Sequence, residues 1–204
     1  PRFSWKHLTH AGIYGVDVSM KTLEGIYGID ISYYARVNFT SLINIVDALG
    51  GVDVNSEYTF TTAHGSYEIQ KGMNHMDGAT ALGFSRERYS FEAGDNQRGK
   101  NQEAVLTAIL NKAMSPAILT NANQVIANVS DSVETNMTQE EMAKFINLQL
   151  SDSSAWSIES AAATGTGDNQ TCFSSGDEIL YVMNPNEQSI QEISQKMTQI
   201  SAEK

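Results

Sequence analysis

The hydrophobic positions of this chain change period repeatedly, and the changes outline alternating strands and helices. Residues 31–37 (ISYYARV) alternate at a period of two, which places Ile31, Tyr33, Ala35 and Val37 on one face of a strand. Immediately afterwards Phe39, Leu42, Ile43, Val46 and Leu49 recur at helical spacing, with Asn38 or Thr40 as N-cap and Gly50-Gly51 as the stop. Val52-Asp53-Val54 opens another strand. A strand, a helix and a strand within about 25 residues predict an α/β layer with a mostly parallel or mixed sheet.

Further along, 58–77 holds short β-prone pieces interrupted by Gly65 and Gly72 and reads as a hairpin or irregular excursion. Ala79 to Arg88 reads as a short helix followed by a strand, and Tyr89 to Asp95 as a loop. From Asn96 to Met114 the pattern is strongly helical, with Val105, Leu106, Ile109, Leu110 and Ala113 in an apolar stripe and Asp95 placed as N-cap. Ser115-Pro116 separates this helix from one at 117–128, and another follows at 139–150, where Thr138 and Glu141 form a capping-box signature. Strands are predicted at 156–161 and 179–183 around a polar loop, 164–177. Asn186 then caps a terminal helix with Ile190, Ile193, Met197 and Ile200 on one side. No internal repeat, low-complexity tract or linker divides the chain, so a single domain over residues 1–204 is expected.

Charge narrows the function. Thirteen Lys and Arg face 24 Asp and Glu, a formal charge of −11, which removes long-range attraction to phosphate backbones and excludes a general nucleic-acid binder. The basic residues are unevenly placed: Arg86, Arg88, Arg98 and Lys100 fall within one short stretch. An acidic chain with one concentrated Arg patch points to a local anion site. The single cysteine, Cys172, excludes an internal disulfide, and His7, His10, His64 and His75 show no metal-ligand spacing. No run approaches the roughly 18 to 20 apolar residues that cross a bilayer.

The informative segment is 84–102, FSRERYSFEAGDNQRGKNQ. On a strand Arg86 and Arg88 would share a face, and on the following helix Arg98 and Gln102, four apart, share another. If the two elements pack as neighbours, three Arg and one Gln converge near a helix N-terminus, where backbone amides already favour an anion. Phosphate or pyrophosphate is the natural ligand, because planar guanidinium groups bind its oxygens in bidentate fashion. The competing reading is a solvated, self-compensating cluster of Arg86, Glu87, Arg88 and Glu92, with Asp95 a simple N-cap.

The blocks ALGFSRERYSFEAGDNQRGKNQ (81–102), YYARVNFTSLINIVDALGGVDV (33–54) and GMNHMDGATAL (72–82) resemble, in order and spacing, the LytR-CpsA-Psr family of bacterial cell-wall enzymes. The resemblance implies an αβα sandwich with a mixed parallel and antiparallel central sheet and helices on both faces. It also implies a phosphotransferase that moves a glycopolymer, such as wall teichoic acid or capsule polysaccharide, from a polyprenyl-pyrophosphate carrier to peptidoglycan. Arg86, Arg88, Arg98 and Gln102 match the positions that contact pyrophosphate, with Arg98 and Asp95 as the catalytic candidates. Asp95 either orients Arg98 or assists proton removal. Mg²⁺ is the implied cofactor.

The family's L-G-x-D, R-S-D and I-P-R-D segments are not found before Thr9, so its N-terminal strands and the expected Asp ligands for the metal are expected upstream of Pro1. A single membrane anchor is expected there too, with the enzyme on the outer face of the cytoplasmic membrane of a Gram-positive bacterium. An apolar groove for the lipid has Phe39, Leu42, Ile43, Val46, Leu106, Ile109 and Leu110 as candidates, although their helical spacing equally suits ordinary core. Two other function classes stand beside the transferase. One is a transcriptional attenuator of cell-wall genes, opposed by the charge. The other is a non-catalytic polyprenyl-phosphate-binding module that uses the loop 164–177 and the acidic C-terminal half.

Overall fold

A computed structural model describes residues 11–92, 94–152, 157–172 and 175–202. They fall into two compact units, one spanning Ala35–Ile158 and the other formed by residues 11–34 and 159–202. His7 and His10 lie outside the described residues.

The Ala35–Ile158 unit opens with β1 (Ala35–Arg36) and helix α1 (Phe39–Ala48), which starts where predicted: Asn38 Oδ1 accepts from Ser41 N at 2.8 Å. Gly50 and Gly51 follow with positive φ and end it. β2 (Val52–Ser56) buries every second residue, Val52, Val54 and Ser56. It pairs antiparallel with β5 (Gly72–Met76), Val54 opposite Asn74. The excursion between them contains a small hairpin, β3 (Phe60–Thr61) with β4 (Glu68–Ile69). β1 pairs antiparallel with β6 (Glu134–Thr135), about a hundred residues away. The strand–helix–strand segment therefore pairs outward, each strand with a later partner. Every ladder among the described residues is antiparallel.

Helices α2 (Gly78–Arg86) and α3 (Gly94–Ala113) pack on this layer. The core is Val46, Leu49, Val52, Val54, Ile69, Met76, Ala81, Phe84, Val105 and Ala108. Leu42 and Ile109 pack against it, so much of the candidate lipid lining is core, whereas Phe39 and Leu106 are exposed. The predicted helix at 117–128 is broken at Thr120-Asn121 into α4 (Pro116–Leu119) and α5 (Ala122–Val129). Helix α6 (Gln139–Ser151) carries the predicted capping box: Glu141 N donates to Thr138 Oγ1 at 3.2 Å and Thr138 N to Glu141 Oε2 at 2.8 Å.

The other unit contains a helix at Val16–Tyr27, which the hydrophobic pattern leaves unassigned, a hairpin, and a terminal helix (Glu187–Ala202) capped by Asn186. The hairpin corrects the sequence reading. Residues 165–171, read as polar loop, form β7 (Gly165–Thr171), antiparallel to β8 (Ile179–Pro185). Its GTGDNQT sequence has no hydrophobic alternation, and its pairing with β8 supplies the order that its composition does not predict. The strand predicted at 156–161 is not formed at 157–161, and Trp156 lies outside the described residues. The observed class is mixed α/β, as expected.

Candidate functional site

The site is built where α2 ends and α3 begins. Asp77 caps α2: its Oδ1 accepts from Thr80 N at 2.8 Å, and the Thr80 hydrogen bonds, side chain first and then backbone, hold its carboxyl below the usual carboxylate range against a small effect of burial. The next residue must be glycine, because a Cβ at Gly78 would lie 2.4 Å from the Ile43 carbonyl oxygen on α1. Gly78 N also donates to Asp47 Oδ1 at 2.7 Å. The Asp-Gly pair of the 72–82 block is thus the joint that seats α2 on α1, and Ala81, Phe84 and Ser85 then face inward.

Arg86 and Arg88 do not share a strand. Arg86 is the last residue of α2, Glu87 leaves the helix with φ −65° and ψ 131°, and Arg88 lies in the turn beyond. The cause is Glu87, whose side chain is 1% exposed. Its Oε1 accepts from the backbone N–H groups of Arg88 (3.0 Å), Tyr89 (2.7 Å) and Ser90 (2.9 Å), and its Oε2 from Ala63 N (2.5 Å). Burial raises the pKa of this carboxyl, but the hydrogen bonds from Ala63, Ser90 and Tyr89 outweigh it and leave the group below its ordinary value, hence ionised. Glu87 is therefore not part of a solvated charge cluster. A charged side chain that captures three successive amides ends the helix and makes the turn.

The two arginines lie against aromatic rings. The Arg86 guanidinium lies over the Phe39 ring, 4.6 Å from its centroid, and that of Arg88 lies 5.8 Å from the Tyr89 ring. Among the described residues neither has a carboxylate partner. Aromatic packing steadies the following loop: Phe91 meets Phe60 edge-on at 4.9 Å and Tyr58 at 5.4 Å.

Helix α3 begins at Gly94, so Asp95 sits inside its first turn instead of capping it. A Cβ at Gly94, whose φ is +38°, would lie 3.8 Å from the Arg88 carbonyl oxygen, which brings the start of α3 against the Arg86–Arg88 turn. The helix is fixed there by buried amides. Gln97 Nε2 donates to Asn101 Oδ1 at 3.1 Å, and Asn101 Nδ2 to the Phe84 carbonyl at 3.2 Å, in the last turn of α2. Each amide has a site residue as its sequence neighbour: Arg98, half-buried, follows Gln97, and Gln102, exposed, follows Asn101.

Arg98 Nη2 contacts Asp95 Oδ1 at 2.5 Å. The pair lies three residues apart on the first turn of α3. Lys100 pairs instead with Glu57 at 3.5 Å. The five predicted residues therefore lie where α2 ends and α3 begins, with Arg98 and Asp95 in direct contact. Among the described residues no three His, Cys, Asp or Glu side chains come together as metal ligands.

The sequence pattern does not mark Glu87, Gln97 or Asn101 as site residues, and it marks Phe39 only as a candidate for the lipid groove. Gln97 and Asn101 were within its reach, since 97, 101, 105 and 108 follow one helical stripe whose first two members are polar. Glu87 gave no signal, because a glutamate between two arginines looks like a surface ion pair.

Comparison with known proteins places these elements. The chain matches the LytR_cpsA_psr family over residues 3–199. It is similar to the polyisoprenyl-teichoic acid–peptidoglycan teichoic acid transferase TagU of Bacillus cereus, 37% identical over 136 residues, which make up 66% of this chain and 44% of that protein. The chain thus spans less than half the length of that relative. The crystal structure of Bacillus subtilis TagV superposes with a TM-score of 0.77 at 21% identity, covering 94% of this chain and 73% of that one, which establishes the fold. A structure of TagT bound to LIIa-WTA superposes with a TM-score of 0.73 at 27% identity, covering 94% of this chain and 70% of that one.

Proposed function

The chain belongs to the LytR_cpsA_psr family, and on that premise we propose that it is a phosphotransferase that moves a glycopolymer of the teichoic-acid or capsule class from a polyprenyl-pyrophosphate carrier to peptidoglycan. The observation that carries this reading is the corner between α2 and α3: Arg86 and Arg88 without carboxylate partners among the described residues, beside an Arg98 aligned by Asp95. Guanidinium groups left unneutralised in a protein of charge −11 suit a pyrophosphate.

In this reaction a hydroxyl of the peptidoglycan sugar attacks the phosphorus next to the glycan, and the bond to polyprenyl phosphate breaks. The protein's part is to hold the pyrophosphate and to neutralise the charge that grows on its oxygens, which Arg86, Arg88 and Arg98 do, with Gln102 as an amide donor. Asp95 keeps Arg98 in place. Magnesium is implied by family resemblance alone. The reaction belongs on the outer face of the cytoplasmic membrane of a Gram-positive bacterium, reached in the whole protein by a membrane anchor. Among the described residues no helix is long and apolar enough to cross a membrane.

The test is transfer of a labelled polyprenyl-pyrophosphate-linked glycan to peptidoglycan by the full-length protein. Arg86→Ala and Arg88→Ala are each expected to lower it by about 10- to 100-fold, the range set by losing hydrogen bonds to a charged group. Transfer that survives both substitutions would remove the corner from the reaction. Pyrophosphate binding without transfer would leave a binding module.

A further inference from the structure

The turn between the two arginines is built around a buried ionised carboxylate that has no salt-bridge partner among the described residues. Four of its partners are backbone amides: three consecutive ones, from residues 88–90, converge on Oε1, and one from Ala63, in the connection between β3 and β4, reaches Oε2, while the Ser90 side chain adds a further hydrogen bond. Three successive N–H groups aimed at one point form a concavity of the kind that binds phosphate oxygens elsewhere. Here the chain's own carboxylate fills it. The residue on one side of Glu87 ends a helix and the residue on the other begins the turn, so both arginines are set by where that carboxylate lies.

We propose that Glu87 is a positioning residue of the pyrophosphate site: its carboxylate fixes the Arg86–Arg88 turn from inside and occupies the turn's amides, so that the substrate anion is met by side chains and not by the backbone of the turn. This rests on the pyrophosphate reading of the same corner. The consequence is geometric. With the amides taken, the turn cannot remodel around an incoming phosphate, and Arg86 and Arg88 keep one spacing before and after binding. The cost of ordering the turn is met on folding, which leaves less to be lost when the ligand arrives. The second anchor, Ala63, ties the turn to the β3–β4 connection, where the buried Thr62 side chain bonds to the His64 carbonyl and Tyr67 N.

Two measurements test it. In hydrogen exchange of the wild-type chain, the amides of Tyr89 and Ser90 are expected to be strongly protected although both residues are exposed; fast exchange there overturns the proposal without any variant. In calorimetric titration with inorganic pyrophosphate, Glu87→Gln is expected to bind about tenfold more weakly, since a neutral acceptor holds the amides less tightly. Combining it with Arg88→Ala is expected to add little to the loss from Arg88→Ala alone.

Unchanged binding by Glu87→Gln, with Arg86→Ala and Arg88→Ala both impaired, refutes the role of Glu87 and leaves the site standing. Fully additive losses refute it as well. If neither arginine variant alters binding, the pyrophosphate reading itself fails. Should Glu87→Gln not fold, Glu87→Asp, which keeps the charge on a shorter arm, is judged by the same criteria.

Discussion

The two compact units of this chain solve the burial problem differently. The Ala35–Ile158 unit closes a ten-residue apolar cluster around Phe84 and Val46, and every candidate site residue lies on α2 or α3, which contribute Ala81, Phe84, Val105 and Ala108 to that cluster, or in the turn after α2. The unit of residues 11–34 and 159–202 buries Val182, Cys172 and Ile193 but leaves Ile179, Tyr181 and Met183 along one face of β8 at 66%, 77% and 50% exposure. Precision at the site therefore follows from rigidity beneath it. Arg86 is two residues beyond Phe84, and the Phe84 carbonyl accepts both from Asn101, which aligns α3, and from Glu87 N, which closes the end of α2.

The contrast is sharpest if it is broken at its centre. Phe84→Ala should destabilise the chain by about 3–5 kcal/mol, the usual cost of emptying a well-packed aromatic site, and should abolish pyrophosphate binding along with the fold. Thermal or urea denaturation measures it. A loss below about 1 kcal/mol would mean that the cluster is not what holds the corner.

A smaller effect is expected from acid. Glu87 has a folded pKa below its unfolded one, so its contribution to stability is complete above the ordinary carboxylate range and is lost as pH falls through the depressed folded value. Wild-type stability should drop by about 1–3 kcal/mol more than that of Glu87→Gln across this acid window. Asp77, shifted in the same direction, sustains part of the decline in both proteins. Parallel pH curves for the two would show that Glu87 is not ionised in the fold.

The smallest effect belongs to the other unit. Tyr181→Ser removes a side chain that is 77% exposed, and the expected change in stability is within about 0.5 kcal/mol. A loss comparable to that of Phe84→Ala would erase the distinction between the units.

Sequence pattern reached different depths in the two regions. Where apolar periodicity and caps coincide, as at Asn38, Thr138-Glu141 and Asn186, elements were legible almost to the residue, because a cap is local chemistry. Strand partners were not legible: β1 reaches β6 across the unit, and nothing in either two-residue strand encodes that choice. The polar β7 hid for the opposite reason, since its order comes from β8 and leaves no pattern of its own. At the site the arginines were visible as residue types, but not their mounting. Alternation in Arg86-Glu87-Arg88 looks like a strand, and only the burial of Glu87 reveals a helix end. Asp95 looked like a cap because aspartate before a helix commonly is one, whereas here it pairs with Arg98 one turn on.

The central claim is that the corner between α2 and α3 binds pyrophosphate through specifically mounted arginines and not through a general excess of positive charge. Arg98 and Lys100 test it, being two residues apart on α3 and equal in charge, with Lys100 turned to Glu57. In calorimetric titration with inorganic pyrophosphate, Arg98→Ala should weaken binding by about 10- to 100-fold and Lys100→Ala by less than about twofold. Equal losses for the two variants, or no loss for Arg98→Ala, would contradict the account.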